Sequence, residues 1–257
     1  MAVATAKQGA LTGGHVSLRL ARASDAEEIA RFYAPYALGT AINFEYEAPD
    51  AVEFARRIET VEKTYPFIVA VERGGEGSAS TERVVGYAFA SPMGARPAYG
   101  WSIDTSIYLD RSVRGRGIGT ALYAGLEAVL REQGVVNIFA CITVRGDDDL
   151  HDLPASAVGE LGAVSKECGS AGVQSVDDPH LPLASPRFHA AKGFHVVGRE
   201  IGCGYKLGRW YDKLWMEKQL ASRNSAPTPV TLLSDLPAGE IERLLLSATV
   251  LGKRRMP

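Results

Sequence analysis

The fold of this chain is decided by the stretch Val113-Arg114-Gly115-Arg116-Gly117-Ile118-Gly119-Thr120, which joins a predicted strand to a predicted helix. Residues 101–109 before it are rich in β-branched and aromatic side chains, as strands are. Residues 117–133 carry apolar side chains at helical spacing and stop before Gly134. A glycine turn that enters a helix presents unpaired backbone N–H groups and the positive end of the helix dipole. The sequence therefore predicts a pyrophosphate site.

The spacing of these glycines separates the turn from two common nucleotide-binding motifs. A P-loop needs Lys and then Ser or Thr after its last glycine, whereas Gly117 is followed by Ile-Gly-Thr. The dinucleotide fingerprint G-x-G-x-x-G lies near the start of its domain, and here a long stretch of chain precedes the glycines. The turn resembles instead the Arg/Gln-x-x-Gly-x-Gly/Ala element with which GNAT acetyltransferases bind the pyrophosphate of acetyl-CoA.

Further segments extend this resemblance to the phosphinothricin N-acetyltransferases of the GNAT family, in the family's order. They are Arg96–Tyr108, Tyr36 with the pair Asn43-Phe44, Tyr65–Ala70, Phe188–Phe194 and Cys203–Asp212. The resemblance covers residues 16–144 and 177–220. It implies a GNAT-like α/β fold, with a mixed, mostly antiparallel twisted sheet and helices on both faces.

The order of the predicted elements agrees with such a sheet, because two helices precede the central strands and a strand–helix–strand–helix series follows. The first helix is predicted to begin at a capping box formed by Ser24 and Glu27. We expect residues 16–220 to form the acetyltransferase domain. Residues 145–176 form an inserted loop, and loops of this length are usually lids or disordered. Residues 221–257 are expected to form a linker and a short helical tail that docks on its own domain or on a second subunit.

The composition excludes several classes of function. The chain has 257 residues, 46% of them hydrophobic, and a formal net charge of −2. This balance gives no reason to expect nucleic acid or an anionic membrane as a partner. The cysteines, Cys141, Cys168 and Cys203, have neither C-x-x-C nor zinc spacing, and we expect no metal. Because no signal peptide and no bilayer-length apolar window is evident, we expect a cytoplasmic protein.

Two residues are candidates for catalysis. Acetyl transfer needs a held thioester, a deprotonated amine and a proton for the leaving thiolate. By the resemblance, Asp104 matches the family's catalytic Glu. Its side chain is one methylene shorter, so it takes the proton of the amine either directly or through a water molecule. His189 matches the family's catalytic His, and an imidazole that titrates near neutrality can act there as an acid or a base.

The resemblance also assigns the binding residues. Backbone groups of Ile107, Tyr108 and Leu109 are expected to contact the pantetheine, and Arg114 to Thr120 the pyrophosphate. Ser185 is expected to cap the closing helix, while Ala184 replaces an Asn that contacts the cofactor in many family members. For the acceptor, the expected residues are Arg96 and Tyr99 near its charged groups, and Tyr36 and Phe44 as walls of the pocket.

These assignments predict an acetyl-CoA-dependent N-acetyltransferase that acts on a small amino-acid-like acceptor of the phosphinothricin or methionine-sulfoximine type. Two alternatives stay open: an enzyme that acetylates protein or peptide amines, and a non-catalytic acyl-CoA-binding module. The short acid at Asp104 and the replacement at Ala184 are the reasons for the second. The family also implies a homodimer.

Overall fold

The computed structural model describes residues 15–73, 82–146, 148–151, 153–158, 178–182, 184–223 and 226–254. These residues form a seven-stranded sheet with the strand order β1-β2-β3-β4-β5-β7-β6. The strands are β1 (His15–Leu20), β2 (Phe67–Arg73), β3 (Glu82–Pro92), β4 (Ser102–Leu109), β5 (Asn137–Val144), β6 (His195–Lys206) and β7 (Arg209–Gln219). The helices are α1 (Ala26–Gly39), α2 (Ala51–Glu62), α3 (Ile118–Glu132), α4 (Asp148–His151), α5 (Ala155–Val158), α6 (Ala184–Ala191) and α7 (Ala238–Arg254).

The sheet splits open in its middle. Strands β4 and β5 are the parallel pair among the described strands, and they pair only from Ser102 to Asp104 on β4. Beyond Asp104, β4 stays paired with β3 as far as Leu109, and β5 stays paired with β7 as far as Val144. The two central strands therefore diverge, and the backbone groups of Thr105–Leu109 on the β5 side border a wedge instead of a neighbouring strand.

The two faces of the sheet carry different helices. Helices α3 and α7 pack on one face, and α1 and α2 on the other. Because side chains alternate along a strand, Ile103 and Thr105 of β4 face α3, whereas Asp104, Ser106 and Tyr108 face the α1–α2 side. Two contacts fix this assignment: the hydroxyl of Thr105 lies 3.1 Å from the hydroxyl of Tyr123 on α3, and the Tyr108 ring packs against rings of α1. The predicted arrangement of helices on both faces is confirmed.

The predicted capping box of the first helix is wrong. The chain forms a short 3₁₀ turn, Ala23–Asp25, before α1, so Ser24 lies inside a turn and not at a helix cap. The carboxylate of Asp25 accepts a hydrogen bond from the backbone N–H of Arg22 at 2.8 Å. The same carboxylate is 2.7 Å from the guanidinium of Arg19 on β1. A partner on the neighbouring strand thus sets where this helix begins.

The tail helix α7 packs on its own domain. A Cβ built on Gly125 of α3 would lie 3.0 Å from Leu245 and 3.1 Å from Leu18, so this glycine allows α7 and β1 to approach α3 closely. Most of the predicted insertion 145–176 lies outside the described residues. Its described beginning holds α4 and α5, and Arg145 forms an ion pair with the buried Asp149 at 2.6 Å. Within the described parts of the chain, no helix is long and apolar enough to span a membrane.

Candidate active site

The glycine turn has the backbone geometry that its sequence predicts. Gly115 and Gly117 have φ angles of +77° and +73°, in the left-handed region that other residues rarely adopt. Gly117 is the N-cap residue of α3, which begins at Ile118. The N–H groups of Ile118, Gly119 and Thr120 have no acceptor within the helix, since they belong to its first turn. The turn therefore offers several amide donors and a helix dipole to an anion.

A cleft of about 460 Å³ lies beside this turn. It brings together the end of β4, the turn and the start of α6. The predicted cofactor residues that line it are Ile107, Tyr108, Leu109, Arg114, Gly115, Gly117, Ile118, Gly119, Thr120 and Ser185. Ala184 lines the cleft as well, at the position expected for Asn. The cleft thus has the donor groups and the length of backbone that a pyrophosphate and its pantetheine arm require.

Arg116 lies apart from the other predicted cofactor residues. Its guanidinium is 2.6 Å from the carboxylate of Glu72, which is only 2% exposed. Arg116 does not border the cleft. Its charge neutralises a buried acid on β2, and the positive charge at the turn comes from Arg114.

Tyr36, which the resemblance assigns to the acceptor pocket, lies instead in the cofactor cleft. Its hydroxyl donates a hydrogen bond to the carbonyl of Leu109 at 2.6 Å. The same hydroxyl accepts one from Arg114 at 2.8 Å. Tyr36 therefore joins the end of β4 to the arginine of the turn, and it occupies the Leu109 carbonyl that was expected to face the pantetheine.

A lysine adds to the charge at the turn. The Nζ atom of Lys192 donates to the hydroxyl of Thr120 at 2.7 Å and lies 5.5 Å from the Phe188 ring. The ring of Phe188 would contact a Cβ built on Gly119 at 3.3 Å, so this glycine lets α6 approach the start of α3. No motif singled out Lys192, because its position depends on how α6 packs against α3.

His189 is enclosed on the α3 side of the sheet. It is 4% exposed, with Nδ1 2.8 Å from the Ser185 carbonyl and Nε2 2.8 Å from the Tyr123 hydroxyl. Because a carbonyl can only accept, Nδ1 carries the proton and Nε2 accepts from Tyr123. Burial lowers the pKa of His189 to about 4, although the hydrogen bond to the Ser185 carbonyl acts in the opposite direction and raises this pKa. The imidazole is therefore neutral at neutral pH.

Tyr123 connects His189 to the wedge between β4 and β5. Its oxygen lies 3.1 Å from the hydroxyl of Thr105, which in turn donates to the carbonyl of Phe139 at 2.8 Å. Burial raises the pKa of Tyr123, so the hydroxyl keeps its proton. No sequence pattern indicates this role, since Tyr123 stands among the apolar residues of an amphipathic helix.

Asp104 lies on the opposite face of the sheet from His189. Burial raises the pKa of Asp104 to about 6, while the positive charge of Lys213 opposes the rise. Its Oδ1 atom is buried and has no hydrogen-bond partner among the described residues. A carboxylate with a buried, unoccupied acceptor atom at the mouth of the wedge is suited to bind and deprotonate an ammonium group.

The remaining predicted acceptor residues lie in two places. Phe44 packs on the backbone of β6, where a Cβ built on Gly204 would lie 2.2 Å from its ring, and the Nζ of Lys213 is 5.8 Å from the ring centre. Phe44 therefore lies on the face of Asp104. Arg96 and Tyr99 are exposed in the connection between β3 and β4, and neither lines the cleft beside the glycine turn or the wedge between β4 and β5.

Comparison with known proteins agrees with this geometry. Residues 18–215 match the acetyltransferase (GNAT) domain family, which is more than half of the chain. The chain belongs to the GNAT family. It is 32% identical over 142 residues to a phosphinothricin N-acetyltransferase of Streptomyces coelicolor, covering 55% of this chain and 62% of that enzyme. A phosphinothricin N-acetyltransferase of Streptomyces viridochromogenes is 26% identical over 197 residues, covering 77% of this chain and 84% of the relative.

A solved structure extends the likeness. The phosphinothricin acetyltransferase of Sinorhizobium meliloti in complex with acetyl-CoA superposes with a TM-score of 0.61 at 27% identity, covering 85% of this chain and 98% of that one. These findings confirm the predicted GNAT fold, membership of an N-acetyltransferase family and acetyl-CoA as the co-substrate. Among the described residues, no three His, Cys, Asp or Glu side chains are grouped to hold a metal ion.

Proposed function

We propose that this protein transfers the acetyl group of acetyl-CoA to the amino group of a small amino-acid-like acceptor, the class to which phosphinothricin and methionine sulfoximine belong. The observation that carries the proposal is the carboxylate of Asp104, whose Oδ1 atom is buried without a partner among the described residues. It lies where β4 and β5 separate, three residues before Ile107, which lines the cleft beside the glycine turn. The names of the curated relatives support the same class of acceptor.

In this mechanism Asp104 is the general base. Its raised pKa of about 6 keeps most of the carboxylate ionised at neutral pH, yet brings its basicity closer to that of the incoming amine. Asp104 takes one proton from the substrate ammonium. The neutral amine can then attack the thioester carbonyl, so that a C–N bond forms and the C–S bond breaks. The second proton of the nitrogen passes to the departing thiolate, and CoA leaves as the thiol.

We assign His189 a positioning role instead of a proton-transfer role. His189 borders the wedge between β4 and β5, but both ring nitrogens are engaged: Nδ1 donates to the Ser185 carbonyl and the neutral Nε2 accepts the hydrogen bond of Tyr123. Holding Tyr123 beside Thr105 keeps fixed the edge of β4 that borders the wedge. A His189→Gln variant, whose side chain can still accept a hydrogen bond, should therefore keep more activity than His189→Ala.

The proposal is tested by incubating the purified protein with acetyl-CoA and a panel of amino acids, polyamines and peptides. We expect release of CoA thiol that depends on a free amino acid, together with the mass of the N-acetylated product. Thiol release with peptides alone would favour a peptide N-acetyltransferase. Binding of acetyl-CoA without acceptor-dependent release would indicate a non-catalytic module.

We further propose that two copies of the chain form a homodimer through the hairpin of β6 and β7. The side chains of Trp210 and Tyr205 on this hairpin are 66% and 48% exposed, and their rings lie 5.2 Å apart. Exposed aromatic pairs of this kind are typical of interfaces. Light scattering at micromolar concentration should give the dimer mass, and Trp210→Glu should shift it toward the monomer. A monomer mass for the unaltered protein would contradict the proposal.

We also propose a cytoplasmic location. Cys141 and Cys203 are free thiols, as is usual for proteins of a reducing compartment. Fractionation of cells that express the protein is the test, and recovery outside the cytoplasm would refute the assignment.

A further inference from the structure

A second cavity lies on the face of Asp104. It has a volume of about 240 Å³ and is bordered by helix α2 and by strands β2, β3 and β4. Six aromatic rings line it: Tyr33, Phe54, Phe67, Tyr87, Phe89 and Tyr108. An apolar cavity of about 150 Å³ is enough to hold a benzene ring. This aromatic cavity therefore has room for a phenyl or an indole ring.

The aromatic cavity is adjacent to the reacting centre. Ser106 lines both this cavity and the wedge between β4 and β5. Along β4, Ser106 is the next residue after Asp104 on the same face, a separation of about 6–7 Å. That separation is comparable to the span between the amino group and the ring of phenylalanine. An acceptor whose amine is bound at Asp104 can thus place a ring in the cavity.

The charges at the cavity do not favour an acidic substituent. Arg57 is bonded to Glu45 at 2.7 Å and to Glu53 at 2.8 Å, and Arg56 is bonded to Glu53 at 2.7 Å. Both guanidinium groups that line the cavity are therefore neutralised by carboxylates of the same chain. A phosphinate or carboxylate in the cavity would meet aromatic rings and two arginines that are already paired.

A cation lies on the other side of Asp104. Lys213 on β7 projects to the same face, with its Nζ 5.8 Å from the Phe44 ring and 5.9 Å from the Trp215 ring. Lys213 lies opposite Glu200 of β6 in the sheet register but forms no ion pair with a side chain in the described ranges, and its charge acts on Asp104. A carboxylate that entered beside Asp104 would find in Lys213 a partly buried positive charge.

We propose that the acceptor is an α-amino acid with an aromatic side chain, which places its amine at Asp104, its carboxylate at Lys213 and its ring in the aromatic cavity. In the strand order of the sheet, the aromatic cavity lies toward β2 and β3 from Asp104, and Lys213 lies on the other side, on β7. This inference rests on the proposed acetyl transfer and narrows its acceptor from amino acids in general to aromatic ones. Phosphinothricin, with its anionic side chain, is expected to be a poorer acceptor for this chain than L-phenylalanine.

The test compares kcat/KM for L-phenylalanine, L-alanine, phosphinothricin and phenethylamine, which lacks the carboxylate. Burial of a phenyl ring should favour L-phenylalanine over L-alanine by about 10- to 100-fold. Thr60→Trp fills the aromatic cavity from an exposed position of α2, and should reduce that preference to near one. Glu59→Trp, at the neighbouring exposed position outside the cavity, is the matched control and should keep the preference.

Lys213→Met tests the carboxylate site. It should lower kcat/KM for L-phenylalanine by about tenfold or more. The loss for phenethylamine should be smaller, because that amine has no carboxylate and is affected only through the higher pKa that Asp104 has without the charge of Lys213. Equal kcat/KM for L-phenylalanine and L-alanine, or a preference for phosphinothricin, would overturn the inference while leaving acetyl transfer intact. An equal loss for all acceptors in Thr60→Trp would overturn it as well. If no acceptor in the panel is acetylated, the proposed function itself fails.

Discussion

The two halves of the candidate site are built in different ways. The cofactor half comes largely from one continuous stretch, Ile107 to Thr120, and its donors are backbone groups held by glycines with positive φ. The acceptor half is built by side chains from separate elements: Asp104 on β4, Phe44 after α1 and Lys213 on β7. A backbone site depends on the path of the chain, whereas a side-chain site depends on how distant segments pack.

Because one half depends on backbone groups of the glycine turn and the other on side chains, we expect a substitution in one half to leave the other intact. Damage to the glycine turn should change the affinity for acetyl-CoA and leave the chemistry of the bound complex intact. Damage to the acceptor face should do the reverse. The following predictions test this separation.

The largest effect is expected from Asp104→Asn, which keeps the shape of the side chain and removes the proton acceptor. General-base catalysis contributes about 10²- to 10⁴-fold, and kcat at neutral pH should fall by that factor. Calorimetry should give an unchanged Kd for acetyl-CoA. Asp104→Glu, which restores a carboxylate, is the control and should recover part of the rate. Near-normal turnover in Asp104→Asn, together with lost turnover in His189→Ala, would show that the imidazole of His189 is the general base.

A smaller effect is expected from Gly117→Val. A β-branched residue at a φ of +73° is strained by about 1–3 kcal/mol, so the turn should relax and its amides should no longer converge. We expect about 10- to 100-fold weaker binding of acetyl-CoA, with kcat nearly unchanged at saturation.

Gly134→Val is the matched control for this variant. Gly134 has a φ of +89° beyond the other end of α3, and a Cβ built there has no neighbour within 4 Å. The control should lower Tm by a similar amount and keep the affinity for acetyl-CoA. If both variants bind acetyl-CoA equally, the turn is not the pyrophosphate site.

The smallest effect is expected from Tyr36→Phe, which removes the hydroxyl between Leu109 and Arg114. The loss of these hydrogen bonds should weaken acetyl-CoA binding by about 3- to 10-fold. The KM for the acceptor should stay the same, because Tyr36 lies in the cofactor half. Tyr99→Phe, in the exposed connection before β4, should change neither constant. A raised KM for the acceptor in Tyr36→Phe would indicate that Tyr36 contacts the acceptor, as the resemblance implies.

The same difference between the halves explains what the sequence could predict. The glycine spacing, the strand before it and the helix after it are local features, and the structure has all three at the predicted place. Contacts between distant segments were not predicted. Arg116 pairs with Glu72 on β2, and Tyr36 reaches the end of β4, although both partners are far away in sequence.

The contacts of the proposed acceptor half could not be predicted from the sequence for the same reason. Lys213 carries no motif, and it reaches the face of Asp104 only because β7 pairs with β5. His189 was predicted from resemblance alone, and its enclosure by Tyr123 and Ser185 depends on the packing of α6 against α3. Composition and periodicity do not predict such contacts, because each residue of a contacting pair is, by itself, an ordinary residue of a strand or a helix.

The most direct test of the account is the pH dependence of kcat/KM from about pH 5 to pH 8. Burial raises the pKa of Asp104 to about 6, so the active carboxylate accumulates as the pH rises through that value. We predict that kcat/KM of the unaltered protein rises to a plateau with a midpoint near pH 6. In Asp104→Asn the rate should instead climb across the whole range, as the acceptor amine deprotonates in solution. A midpoint near pH 6 that persists in Asp104→Asn, or that disappears in His189→Gln, would contradict the assignment of the base.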